Sequence, residues 1–267
     1  MMLNYKKIGN GCPLIVLHGL YGSGDNWYSF ARALSPYFTV YLVDQRNHGQ
    51  SPHSTELNYE VLTTDLEEFL QQHQLEKVCI MGHSMGGKVA MNFTLRNPKK
   101  VYKLVVIDIA LRSYTANIAA SPQLSIHKKI ISALDSLDLD FADTREELDK
   151  QLARYLPQKP IRQFLLKNIK RSKAGDFSWS LNIEALKNNL SLLLDAIDSS
   201  GKTFNGPVLV ISGENSGYIT EADHNDFRKA FPNVEIVRFP TGHWVHSEQP
   251  GMLREKLLEF LPMAAEK

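Results

Sequence analysis

The sequence predicts an α/β protein: a mostly parallel central sheet flanked by helices and interrupted by a helical insertion. Three observations carry this. Compact apolar runs alternate with helical patterns up to residue 110; the alternation stops between 111 and 202; and it resumes at 207. Such alternation is what crossover helices between parallel strands produce.

In chain order, the runs at 13–18 (PLIVLH), 38–44 (FTVYLVD), 77–82 (KVCIMG) and 103–108 (KLVVID) read as strands buried on both faces. Between them, helices are expected near 27–34, 59–73 and 84–96, the last stopped by Asn97-Pro98. The middle of the chain shows no convincing buried strand. It has helical patterns near 124–134, 144–155, 161–171 and 183–197, with breaks at Pro157, Pro160 and Gly175. The earlier rhythm returns with a strand at 207–213 (PVLVISG), a helix near 221–231, a strand at 234–239 and a final helix near 252–260. The expected organisation is one catalytic core, 1–110 and 203–267, carrying a helical cap, 111–202; two tandem domains would not need the sheet to resume.

Composition narrows the function classes. With 30 Lys and Arg against 29 Asp and Glu, the chain lacks the basic footprint of a nucleic-acid binder. Cys12 and Cys79 are too few for a disulfide framework or a structural zinc site, and Cys79 reads as a small core residue. The first residues, MMLNYKK, show no apolar signal region, and no run reaches the roughly 18 to 20 apolar residues of a spanning helix. The expectation is a cytoplasmic protein that uses no membrane.

The residues that carry chemistry begin with Gly82-His83-Ser84-Met85-Gly86, a G-x-S-x-G at the end of one buried strand and the start of a helix. A strand-to-helix turn this sharp strains the serine and exposes its hydroxyl, with the helix N-terminus favouring negative charge beneath it. The rival reading is a serine N-cap in a glycine-rich turn. A serine hydroxyl needs a base. Of nine histidines, His243 is best placed, in a loop just past the last strand, and histidine last in the chain fits the order Ser…acid…His. His246 reads as a structural polar residue nearby and His83 as packing on the sheet. His18, His48 and His53 fall in loops at the correct sheet end, and His73, His127 and His224 in surface-like helical contexts. Oxyanion donors are expected from the backbone N–H groups of Met85 and of Leu20, the latter in the loop HGLYGSG. That loop lacks the G-x-G-x-x-G or Gly-Lys-Ser/Thr patterns of phosphate binding.

HG at 18–19, DQRNHG at 44–49, GHSMGG at 82–87 and GH at 242–243 together resemble the α/β-hydrolase superfamily, which implies an α/β-hydrolase fold with a cap. Many members carry the triad acid in a G-x-x-D turn after the strand that here is 207–213. This chain reads Gly213-Glu214-Asn215-Ser216, so that acid is missing. Other members place it after the preceding strand, where Asp108 stands. Asp108 is therefore the expected acid and Glu214 the alternative; the bland reading of Asp108 is a carboxylate capping the start of the insertion. The details, including VIDIA and GENSGYI, resemble the YbfF-type esterases and acyl-CoA thioesterases. That resemblance implies a serine near Ser216 hydrogen-bonded into the Ser–Asp–His arrangement, and hydrolysis of short- to medium-chain acyl esters or acyl-CoA thioesters. One departure is Leu111-Arg112, where a proline is expected, and it is expected to reorient the start of the insertion.

The leading expectation is a serine hydrolase using Ser84, His243 and Asp108, with no metal or organic cofactor and a small acyl ester or thioester as partner. The alternatives are a carbon–carbon bond hydrolase or lyase on the same scaffold, and a non-enzymatic ligand receptor. Lys167, Lys170, Arg171 and Lys173 form a basic cluster that reads as a solvated helix end, with contact to the phosphates of CoA as the sharper alternative.

Overall fold

A computed structural model describes residues 1–115, 121–199 and 201–261. Residues 116–120 and 200 of the expected cap, and 262–267 of the expected core, lie outside the described residues. A seven-stranded sheet forms the centre, in the order β1-β3-β2-β4-β5-β8-β9. Its strands are β1 (Tyr5–Ile8), β2 (Cys12–Leu17), β3 (Phe38–Val43), β4 (Val78–His83), β5 (Val101–Ile107), β8 (Val208–Gly213) and β9 (Val234–Phe239). All neighbours pair in parallel except β1, which runs antiparallel along β3. The chain belongs to the fold class its alternation predicts.

Successive residues of the central strands enter opposite layers. Ile15 and Leu17 join one buried cluster while Leu14 and Val16 join the other, and β4, β5 and β8 repeat the alternation. Each strand is thus buried on both faces, the reason its sequence reads as an unbroken apolar run. The helices α1 (Tyr28–Leu34), α2 (Tyr59–Gln72), α3 (Met85–Arg96), α9 (His224–Ala230), α10 (Val245–Glu248) and α11 (Pro250–Phe260) supply the covering layers.

The insertion leaves the sheet after β5 and returns before β8, and these two strands pair directly, Leu104 opposite Val208 through Ile107 opposite Ile211. It holds α4 (Pro122–Asp135), α5 (Arg145–Ala153), α6 (Lys159–Leu166), a short antiparallel hairpin of β6 (Ile169–Arg171) and β7 (Phe177–Trp179), α7 (Ile183–Asn188) and α8 (Leu190–Leu193). Two sequence expectations are corrected here. The helix expected over 161–171 ends at Leu166, because Ile169–Arg171 is drawn into the hairpin. The helix expected over 183–197 breaks at Asn189, whose amide side chain instead donates to the Thr55 carbonyl at 2.9 Å.

A buried lysine pins both ends of the insertion. Lys88 on α3 donates from Nζ to the carbonyls of Arg112 (2.8 Å) and Asp195, and lies over the rings of Tyr59 and Tyr114 at 5.6 and 5.0 Å. Arg112 donates from Nε to Asp223 Oδ1 at 2.8 Å, so the residue standing where a proline was expected ties the start of the insertion to the core. Among the described residues no helix is long and apolar enough to cross a membrane.

Candidate active site

The strand order reverses between β2 and β4: the chain builds outward from β2 to β3, then crosses to β2's other side. In open α/β sheets the crevice beyond the carboxyl ends of such strands is where ligands bind. Ser84 follows β4 at that place, and the loop after β2 lies beside it.

Ser84 has φ 51° and ψ −120°, a left-handed conformation that an L-residue holds only when its surroundings impose it. The imposing contacts are visible. The Ser84 N–H donates to the Ile107 carbonyl at 3.0 Å, and the first turn of α3 presses against β2. A Cβ on Gly86 would lie 2.4 Å from the Leu17 carbonyl oxygen, so only glycine lets α3 come this close. Likewise a Cβ on Gly19 would lie 3.2 Å from Ser84 Cβ, which brings the Leu20 loop alongside the nucleophile position.

Three side chains form a hydrogen-bonded chain. Ser84 Oγ–H donates to His243 Nε2 at 3.0 Å, and His243 Nδ1–H donates to Asp108 Oδ2 at 2.7 Å. Asp108 is fully buried just past β5, with φ 52°, and its Oδ1 accepts the Gly213 N–H at 2.9 Å. Its own N–H donates to the Ile211 carbonyl at 2.8 Å, so two strands fix the carboxylate. The N–H groups of Leu20 and Met85 donate to no protein acceptor among the described residues, and Leu20 lines the same cavity as Ser84.

Two expected residues stay apart. Glu214 is exposed, with its N–H donating to the Phe239 carbonyl, and it reaches none of the three. Ser216 Oγ accepts the Tyr218 N–H at 3.2 Å instead of a bond from Asp108 or His243. The physical reason is the turn after β8: its Glu214 and Asn215 N–H groups go to the Phe239 and Thr241 carbonyls, and its Ser216 hydroxyl stays on the Tyr218 N–H. Asp108, rising from the neighbouring strand, already fills the position behind the histidine.

The DQRNHG motif supports the walls. Asp44 accepts from the Gly24 N–H (2.7 Å), Asn4 Nδ2 (2.8 Å) and the Gln50 N–H (2.9 Å), while Arg46 grips Asp65 with two bonds. His48 accepts the Tyr21 N–H at 3.3 Å, and His18 accepts the Gln45 N–H at 3.0 Å. These histidines are framework, as is His83, which donates from Nε2 to the His243 carbonyl at 2.9 Å.

A mostly apolar cavity of about 140 Å³ opens on Ser84, walled by core residues and by Ile126, Ile130, Ile161, Phe164 and Leu165 of the insertion. His127, read from sequence as a surface residue, is buried in this wall, hydrogen-bonded to the hydroxyls of Tyr21 (3.2 Å) and Tyr218 (3.1 Å). A signal for this was present: Leu124, His127, Ile130 or Ile131, and Leu134 share the apolar face of α4. Tyr218, not singled out from the sequence, stacks on the His243 ring at 3.9 Å. His246 stacks on Trp27 at 4.3 Å and also lines the cavity. Among the described residues no group of three His, Cys, Asp or Glu is disposed to hold a metal ion.

Burial holds several of these histidines neutral. His48 and His127 are pushed down to about 3 and His246 to about 4, in each case first by desolvation and then by neighbouring histidines; His18 and His83 are lowered by desolvation too. The unfolded chain binds protons at all five sites near pH 6.5, so stability is full above that pH and falls as acid approaches the folded values. Each contributes roughly 1.4 kcal/mol per pH unit within its window. The expected result is a melting temperature that drops steeply between about pH 6.5 and pH 4; a flat profile over that range would contradict it.

A parallel sheet with this strand order and a hydrogen-bonded serine, histidine and aspartate at its switch point define the class: an α/β hydrolase. The family model described as alpha/beta hydrolase fold matches residues 13–250, and the chain belongs to that family. It is similar to the sn-1-specific diacylglycerol lipase ABHD11 of Danio rerio, 36% identical over 258 residues that cover 95% of this chain and 79% of that one. Esterase YbfF of Escherichia coli (strain K12) is 32% identical over 253 residues, 94% of each chain. Among solved structures, one titled Marine microorganism esterase has 46% identity and a TM-score of 0.93, covering 97% of this chain and 98% of that one. The resemblance carried by the motifs therefore extends over nearly the whole chain.

Proposed function

We propose that the chain is a serine carboxylesterase that cleaves short- to medium-chain acyl esters through an acyl-enzyme on Ser84. The observation that carries this reading is the Ser84–His243–Asp108 hydrogen-bond chain at the mouth of an apolar cavity. The relatives it is similar to, named esterase and lipase, agree with it.

In this reading Ser84 Oγ attacks the ester carbonyl as His243 Nε2 takes its proton. The carbonyl oxygen gains negative charge against the Leu20 and Met85 N–H groups. His243 returns the proton to the departing alcohol. Water, deprotonated by the same Nε2, then attacks the acyl-Ser84 carbonyl and releases the acid and the free serine. Asp108 keeps the Nδ1–H in place and stabilises the imidazolium without taking the proton. The insertion acts as the cap, its apolar residues closing the cavity and excluding water from the oxyanion.

Size limits the acyl group. About 140 Å³ compares with a cavity of roughly 150 Å³ that encloses benzene, so the closed space suits an acyl chain of about six carbons or fewer. A second, wider groove of about 770 Å³ shares Asn26, Ile161, Phe164, Trp244 and His246 with the first and leads outward past Lys167. It offers room for the leaving group, oxyester alcohol or thiol. Of the basic cluster, Lys170 and Arg171 are spent on the carbonyls of Gly49 and of Gly175 and Asp143.

The test is a series of p-nitrophenyl esters from acetate to decanoate, run beside the matching CoA thioesters, with fluorophosphonate labelling followed by mass spectrometry. Labelling at Ser84 is expected, with kcat/KM greatest at or below about six carbons. A folded but unlabelled protein overturns the serine mechanism, and a rate rising through decanoate overturns the size argument.

A further inference from the structure

The cavity wall contains a hydrogen-bonded trio that the hydrolytic steps do not use. His127 reaches down from α4 of the insertion, with Nδ1 at 3.2 Å from the Tyr21 hydroxyl and Nε2 at 3.1 Å from the Tyr218 hydroxyl. All three side chains are buried and all three line the cavity that opens on Ser84.

Counting hydrogens shows that the trio has one to spare. A neutral imidazole has one N–H and one lone pair. One tyrosine therefore donates its O–H to the lone pair, while the other accepts the N–H and keeps its own hydrogen. Were His127 charged, both nitrogens would donate and both phenol hydrogens would be left over. In either state at least one O–H is uncommitted, because neither hydroxyl has another protein partner among the described residues. Burial holds both phenols protonated, so the hydrogen stays in place across the working range.

A buried donor without a partner carries a desolvation cost that a ligand acceptor removes. The position of the trio says which part of the ligand this is. Tyr21, His127 and Tyr218 line the inner cavity but not the outer groove through which a leaving group would depart. Beside them, Ile126, Ile130 and Leu165 make the insertion's neighbouring stretch of the wall apolar.

We infer that the Tyr21–His127–Tyr218 trio is a specificity device in the acyl pocket, supplying one O–H donor that favours acyl groups bearing an oxygen acceptor over their all-hydrocarbon counterparts. The inference rests on the esterase reading above and deepens it from acyl length to acyl chemistry. An oxo or ether oxygen along the chain takes the free hydrogen. A pure alkyl chain of the same shape leaves it unmatched.

Shape-matched pairs of p-nitrophenyl esters test this: 4-oxopentanoate against 4-methylpentanoate, and 5-oxohexanoate against 5-methylhexanoate. The readout is the ratio of kcat/KM values within each pair, divided by the same ratio for hydroxide-catalysed hydrolysis to remove intrinsic reactivity. In at least one pair the wild-type enzyme should favour the oxo ester by about tenfold, the scale of one well-made hydrogen bond. The triple variant Tyr21→Phe/Tyr218→Phe/His127→Phe removes every hydrogen of the trio and should bring the ratio back to the hydroxide value. The single variant His127→Phe frees both phenols and should keep the preference. A wild-type ratio equal to that of hydroxide in both pairs overturns the inference even if no variant folds, as does a triple variant that keeps the wild-type preference. Failure to hydrolyse any of the four esters would instead count against the esterase reading itself.

Discussion

Replacing Ser84 with alanine is expected to lower kcat for ester hydrolysis by about 10⁶, the scale seen when a serine hydrolase loses its nucleophile. The reason lies in the geometry. Ser84 Oγ is held 3.0 Å from His243 Nε2 by a strained backbone, and no second hydroxyl shares that hydrogen bond. Without Oγ no acyl-enzyme forms, and what remains is the help the Leu20 and Met85 N–H groups give to direct attack by water. Ser84→Ala removes one oxygen from a nearly buried side chain without disturbing the turn, so the melting temperature should move by only a few degrees. Steady-state kinetics with p-nitrophenyl acetate, together with loss of fluorophosphonate labelling, checks both parts. Activity within a factor of ten of wild type would assign the chemistry to another residue.

Asp108→Asn is expected to cost about 10⁴ in kcat, through the tautomer of His243. Both carboxylate oxygens accept: Oδ1 from the Gly213 N–H at 2.9 Å and Oδ2 from His243 Nδ1–H at 2.7 Å. An asparagine has one acceptor oxygen and one NH₂. If the oxygen keeps the Gly213 bond, the NH₂ faces His243, which must then present a lone pair at Nδ1 and carry its hydrogen on Nε2. In that tautomer Nε2 cannot accept the serine proton. If the oxygen turns to His243 instead, the NH₂ opposes the Gly213 N–H and a buried donor pair is left unmatched, at a cost of about 1 to 3 kcal/mol. Asp108→Asn should therefore lose activity, stability or both, whereas Glu214→Gln should stay within about twofold of wild type because Glu214 is exposed and away from the histidine. The kinetic comparison of the two variants decides the acid: near-wild-type turnover in Asp108→Asn would remove it from the mechanism.

How much of this was legible in the sequence follows from how each signal arises. The central strands β2 to β5 and β8 read correctly because two-sided burial keeps most of their positions apolar. Edge strand β9 read through its Val, Ile and Phe although Glu235 and Arg238 are exposed. Edge strand β1 escaped, since YKKI pairs on one side only and its lysines are solvated. The β6–β7 hairpin escaped for a similar reason: three residues per strand are too few for a periodic pattern. Ser84 and His243 were legible through local chemistry, a strained turn with small neighbours and a histidine past the last strand. Asp108 was legible only through the resemblance to α/β hydrolases, whose members place the acid after one or the other of two strands, here β8 with no aspartate following and β5 with Asp108 at its end.

The trio at the cavity was not legible, although α4 gave a partial sign by placing His127 on its apolar face. Tyr21, His127 and Tyr218 come from the loop after β2, the insertion and the loop after β8, His127 standing 106 positions after Tyr21 and 91 before Tyr218. No local spacing connects them. Sequence by itself determined the buried central strands and the break in their rhythm, and singled out Ser84 and His243 as candidates, because burial and backbone strain act over a few neighbouring positions and leave their mark there. Tertiary structure alone decided that the Asp108 carboxylate meets His243 while Glu214 and Ser216 stay apart from it, and that His127 shares two tyrosines in the cavity wall. Those outcomes depend on hydrogen-bond distances of about 3 Å between distant segments, which exist only once the chain has folded.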